Sequence, residues 1–140
     1  MRERVLAKLG ADLVAGGYIG QKQLQEAVEG VKSSRGDLCD YLVEKGYIAE
    51  GALAKFLAEK KNLPYVSLQE TKIDRTILKL IPEKVVRRYT VVPIARERRE
   101  LTVAMANPFD FTVVSDIEFA SGCLVVPVVA AKSEIKKAIE

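Results

Sequence analysis

Few side chains in this sequence could do chemistry. There is no histidine among the 140 residues, so the commonest general base is missing. The two thiols, Cys39 and Cys123, lie far apart in apolar stretches, and neither has a neighbour suited to lowering its pKa. Two thiols without a histidine cannot supply the usual four zinc ligands. They are expected to be buried and reduced, with a disulfide as the alternative. The carboxylate pairs Asp37/Asp40 and Glu97/Glu100 stand in polar stretches and read as solvated surface charge. Gly16, Gly17 and Gly20 cluster, but they follow a helical pattern, whereas a dinucleotide fingerprint follows a strand. No GxxxxGK[ST] phosphate loop occurs. The expectation is a protein without catalytic residues, a metal site or enzymatic activity.

Two groups of residues remain. Lys8-Leu9-Gly10 places a glycine inside a helical pattern, where it costs about 1 kcal/mol relative to alanine. Such a glycine marks close approach of a ligand or of another helix backbone, and both readings stand. Arg87 and Arg88, with Arg96, Arg98 and Arg99, are the one basic concentration. They read either as a solvated helix end and hairpin turn, or as a docking patch for an acidic partner or a phosphate group.

The elements that must position these groups begin with an internal repeat. Leu13-Val14, Gly17-Tyr18-Ile19 and Leu24 recur 29 residues later as Leu42-Val43, Gly46-Tyr47-Ile48 and Leu53, and Ala27-Val28 aligns with Phe56-Leu57. Each copy reads as a helix, a glycine stop and a second helix. Val5, Leu6, Leu9, Leu13 and Val14 have helical spacing, as do Leu38, Tyr41, Leu42 and Val43. Gly17 and Gly46 sit where a helix end wants a left-handed residue. Leu24, Ala27, Val28 and Val31 form the expected inner face of the second helix, which starts near Gly20 or Gln21. Residues 32–37 read as a polar linker whose Ser and Asp could cap the next helix.

After Asn62-Leu63-Pro64 the pattern becomes β-branched. The spacing predicts a strand at 65–68, a helix capped by Asp74, a helix over 83–89, and strands at 91–95 and 101–105 around a charged turn. A helix capped by Asp110, a strand at 124–130 and a helix at 133–139 follow. Pro93 predicts an edge or strand-start position. The fold class expected is α+β: a helical-repeat subdomain, residues 1–61, packed with a small α/β sandwich with a mixed sheet, residues 62–140.

Composition narrows the function. The chain is 49% hydrophobic and 29% charged, with a net charge of +3, which fits a globular domain. Ten Lys and Arg face nine Asp and Glu in residues 1–62, and twelve face ten in 63–140. Neither part is the polycation a nucleic-acid binder shows. Lys8 and Asp12 interrupt the N-terminal apolar run, which argues against a signal peptide. No stretch reaches the roughly 18–20 apolar residues that cross a bilayer. A cytoplasmic protein without membrane insertion is expected.

The segment KLGADLVAGGYIGQKQLQEAVE resembles the RLGxxLVxxGxIxxxxLxxAL pattern of the N-terminal region of type II secretion and type IV pilus assembly ATPases. NLPYVSL, the IPEKVVRRYTVVPI segment, the LTVAMANPFD turn and the closing VPVVAAKSEIKKAIE resemble the rest of that region. The resemblance implies a regulatory and docking region that precedes a hexameric motor. The motor's Walker motifs are absent, and the chain ends after the last family helix, which suggests an excised piece or a separate module. The implied partner is the cytoplasmic domain of an inner-membrane platform protein, with the chain peripheral to that membrane.

In a subset of the family the tandem motifs bind cyclic di-GMP. Carried onto this chain, those positions are Lys8, Leu9, Gly10, Leu13, Val14 and Gly17, then Arg35, Leu38, Leu42, Val43 and Gly46. The polar members depart from the pattern. Lys8 replaces the first arginine and loses its bidentate fork. The second Arg-Leu-Gly triplet is Asp37-Leu38-Cys39, with Arg35 two residues out of register, and the motif-ending glutamines are Val31 and Lys60. The expected function is therefore a non-catalytic docking module with no cofactor; a cyclic di-GMP sensor is the alternative.

Overall fold

The computed structural model describes residues 2–34, 38–69, 72–108 and 111–139, without the side chains of residues 2–6, 33, 34 and 111. Arg35, Asp37 and Asp110, and with them two of the three expected aspartate caps, lie outside the described residues. The chain divides into two compact units, Met1–Leu53 and Ala54–Glu140.

The first unit is helical: α1 (Arg2–Ala15), α2 (Gln21–Ser34), α3 (Leu38–Glu44) and the start of α4 (Glu50–Lys61). The repeated Leu-Val-x-x-Gly-Tyr is one helix-ending motif used twice. The Tyr18 N–H donates to the Leu13 carbonyl and the Gly17 N–H to the Val14 carbonyl, both at 3.0 Å. Tyr47 donates to Leu42 and Gly46 to Val43 at the same distances. This is the Schellman pattern, which satisfies carbonyls the helix itself leaves open. It requires left-handed backbone at the glycines, whose φ values are 78° and 74°. Ile19 and Ile48, just beyond the stops, are buried. α2 starts on Gly20, whose N–H is accepted by the Gln23 side chain at 2.9 Å, one half of a capping box.

The second unit is a three-stranded mixed sheet between helices. β1 (Val91–Glu97) pairs antiparallel with β2 (Glu100–Met105), and β2 pairs parallel with β3 (Leu124–Val129), in the order β1-β2-β3. The β2–β3 crossover is α7 (Phe111–Ser121), as a parallel pair demands. One sheet face, with Leu101, Val103 and Met105, packs on Val86 of α6 (Glu83–Tyr89) and on Val113 and Ile117 of α7. The other face, with Val92, Ala104 and Val128, packs on Ile135 of α8 (Lys132–Ile139) and Leu78 of α5 (Arg75–Leu78). The α+β class with a mixed sheet is as the sequence predicts.

Several local expectations need correction. Residues 65–68 do not form a strand; only Tyr65 bridges Val129. Val66 donates to the Val129 carbonyl and Val129 to the Pro64 carbonyl, both at 2.9 Å. Pro127 has no N–H to extend that ladder one way. The Leu68 N–H is taken by the Glu134 carboxylate at 2.7 Å the other way. The hairpin turn is narrower than expected, Arg98 and Arg99 alone, because β1 runs to Glu97. Pro93 lies in an edge strand as predicted, at a register shift where Ile94 is the extra residue. Asp74 caps α5 through the Thr76 N–H at 2.8 Å, which holds its carboxyl below the usual range, but that helix is a single turn. α2 continues through Ser34 into the expected linker. Val28, at the edge of the α2 stripe, is exposed.

The compact units part inside α4, earlier than the change of composition near residue 62. The reason is that Ala54 and Ala58, on the last turns of α4, pack on Val129 with Leu63 and Tyr65. α4 then ends as the other two helices do, with Asn62 at φ 52° and the Leu63 N–H on the Ala58 carbonyl at 2.9 Å.

Gly46→Ala should destabilise the protein by about 1 kcal/mol, because a Cβ strains left-handed backbone although nothing crowds it. Gly51→Ala, in the first turn of α4 with open space around it, should stabilise by about 0.5 kcal/mol. Urea unfolding of the two variants checks the opposite signs.

Candidate functional site

The tandem-motif residues fall into two classes. Leu9, Leu13, Leu38 and Leu42 are core, with Leu13 and Leu42 wholly buried. Val14 and Val43 are half-buried. Lys8, Gly17 and Gly46 are exposed. Gly10 is buried in α1, and a Cβ built on it would stand 2.7 Å from Cδ1 of Leu24 in α2. Its smallness is thus used by a close α1–α2 contact. Gly30 plays the same part between α2 and α3, where a Cβ would meet the Tyr41 ring at 2.5 Å. Both Gly-Tyr turns have left-handed glycines, and among the described residues the exposed polar side chain of the motif is Lys8.

The two copies of the repeated tyrosine diverge. The Tyr47 hydroxyl donates to the Glu26 carboxylate at 2.5 Å, tying the second turn to α2. That bond favours the neutral phenol and pushes its pKa from 10.0 up to about 12. Tyr18 instead folds over its own turn, and a Cβ on Gly16 would lie 2.8 Å from its ring.

All five candidate arginines are exposed on the second unit, in two groups. Arg87 and Arg88 stand in the last turn of α6, next to the start of β1. Arg96, Arg98 and Arg99 stand at its far end, about 20 Å along a seven-residue strand. Arg87 is paired with Glu83 at 2.9 Å. Arg88 lies over the Tyr89 ring, 5.4 Å from its centroid. Arg98 has left-handed backbone at φ 57°, and its carbonyl accepts from Arg96 Nε at 3.0 Å.

One residue escaped the sequence reading. Phe119 is 95% exposed on α7. The signal was available: Val113 and Ile117 are four apart and inward, so Phe119 falls on the opposite side of the helix.

The MshEN domain model matches residues 62–140. The type IV pilus assembly ATPase PilB of Myxococcus xanthus is 33% identical over 133 residues, covering 95% of this chain and 24% of that protein. PilB of Thermus thermophilus is 28% identical over 128 residues, covering 90% of this chain and 14% of that protein. The chain thus spans about a quarter or less of the length of these curated relatives. A structure of MshE with cdg superposes at a TM-score of 0.79, with 27% identity, over 94% of this chain and 95% of the other. The N-terminal domain of XpsE shares the fold, at a TM-score of 0.77 and 19% identity, over 92% and 89% of the two chains. Among the described residues no helix is long and apolar enough to cross a membrane.

The raised Tyr47 pKa has a stability consequence. A group whose folded pKa is raised stabilises fully below its unfolded value, so the Tyr47–Glu26 contribution should persist to about pH 10 and vanish toward pH 12. Wild type should therefore exceed Tyr47→Phe in stability at pH 8 and lose that margin by pH 12, read by urea melts across the range. Gly10→Trp should unfold the α1–α2 contact, seen as lost helical ellipticity without any ligand present.

Proposed function

The chain belongs to the MshEN domain family, and from that premise we propose that it is a non-catalytic docking module of a secretion or pilus assembly ATPase. Its partner is the cytoplasmic domain of an inner-membrane platform protein, to which it links the motor. The observation that carries this reading is the exposure of all five arginines of residues 87–99 on the unit that the family model matches. Exposed guanidinium groups steer an acidic partner and fix its register. The tandem motif, by contrast, spends its leucines and Gly10 on internal packing.

A second reading has one observation in its favour. MshE, solved with cdg (cyclic di-GMP), aligns over nearly the whole chain, and both left-handed turns of the motif persist here. On this reading the first unit senses the nucleotide through Lys8 and the backbone of the turns.

Calorimetric titration separates the two. The docking reading expects the chain to bind the purified platform domain, more weakly as salt rises. Arg98→Glu/Arg99→Glu and Arg87→Glu/Arg88→Glu, tested separately, should weaken binding and flatten its salt dependence at whichever end of β1 meets the partner. Cyclic di-GMP, with GTP as control, should give no heat. Selective micromolar binding of cyclic di-GMP would put the sensor reading first.

A further inference from the structure

A groove of about 240 Å³ runs between α6 and α7, lined by Lys84, Val85, Arg88, Tyr89, Asp116 and Phe119 among others. It is smaller than the roughly 300–1,000 Å³ of a small-molecule site, and suits one large side chain of a partner. Its frame is braced, because the Tyr89 hydroxyl donates to the Asp116 carboxylate and so ties α6 to α7. That bond also occupies the groove's one acid.

Of the groove's two cations, Arg88 lies over the Tyr89 ring. Lys84 and Arg88 are four apart on one face of α6, where like charges repel. Among the described residues neither makes an ion pair, whereas their neighbour Arg87 is held by Glu83. The groove therefore offers an exposed aromatic ring beside two cations, and its one carboxylate, Asp116, is already hydrogen-bonded to Tyr89. Arginine with aromatics is the composition that dominates interface energetics.

We propose that this groove is the docking surface for an acidic segment of the partner. An apolar side chain of that segment packs on Phe119, and flanking carboxylates pair with Lys84 and Arg88. The proposal rests on the docking reading above and gives it a location, the α6–α7 end of the second unit.

The test is calorimetry of the 140-residue chain against the platform domain, with Phe119→Ala, Lys84→Glu/Arg88→Glu and Leu124→Ala. Phe119 is 95% exposed and Leu124 60% exposed, so both truncations leave the core intact, which circular dichroism checks. Phe119→Ala should weaken binding about tenfold or more. The double reversal should weaken it and flatten its salt dependence, and Leu124→Ala should bind as wild type. Binding by wild type that neither groove variant changes, or that Leu124→Ala weakens equally, overturns the groove and leaves docking standing. No binding by wild type overturns the docking reading and the groove with it. Self-association in sedimentation that Phe119→Ala abolishes, with partner binding unchanged, makes a second copy of the chain the occupant and overturns the acidic partner.

Discussion

A buried backbone donor or acceptor without a partner costs about 1–3 kcal/mol, and the architecture of both units follows from where those groups are satisfied. In the first unit the open carbonyls of α1 and α3 are answered by the amides of Gly17, Tyr18, Gly46 and Tyr47. Each answer requires a left-handed residue and ends the helix, and after the first of them α2 packs on α1. In the second unit β2 is satisfied on both sides, by β1 and β3, and the helices attach to the two faces that result.

The sheet edges show the same constraint. Pro127 withholds a donor from the outer side of β3, and Glu134 takes the Leu68 amide, so the residues near Tyr65 meet the sheet at one point only. Pro93 lies on the outer strand β1, where the ladder shifts register. Prolines in both edge strands limit pairing with other chains. The exposed Arg98 and Arg99 stand clear of those edges on the hairpin tip, and Arg87 and Arg88 at the end of α6.

Close packing explains why the apolar members of the tandem motif keep their spacing. The leucines at helical spacing are needed for the core whatever the ligand, and Gly10 is needed for Leu24. Lys8, which stands where the family pattern has arginine, is exposed and outside that packing.

Features that depend on neighbours a few residues apart were legible along the chain. The glycine stops, the Asp74 cap, the helix over 83–89, the hairpin and the α+β class could all be read there, because capping and periodicity are local. The repeat and the family were legible for the same reason, as short strings of fixed spacing. Contacts distant in sequence settled the rest. They withheld a strand from residues 65–68, whose acceptors are Val129 and Glu134. They assigned Gly10 to a helix contact through Leu24 of the next helix. Folding split five arginines between the two ends of β1, and it joined Arg88 of α6 to Phe119 of α7 in one groove. Spacing along the chain carries no record of such meetings, which only the folded backbone creates.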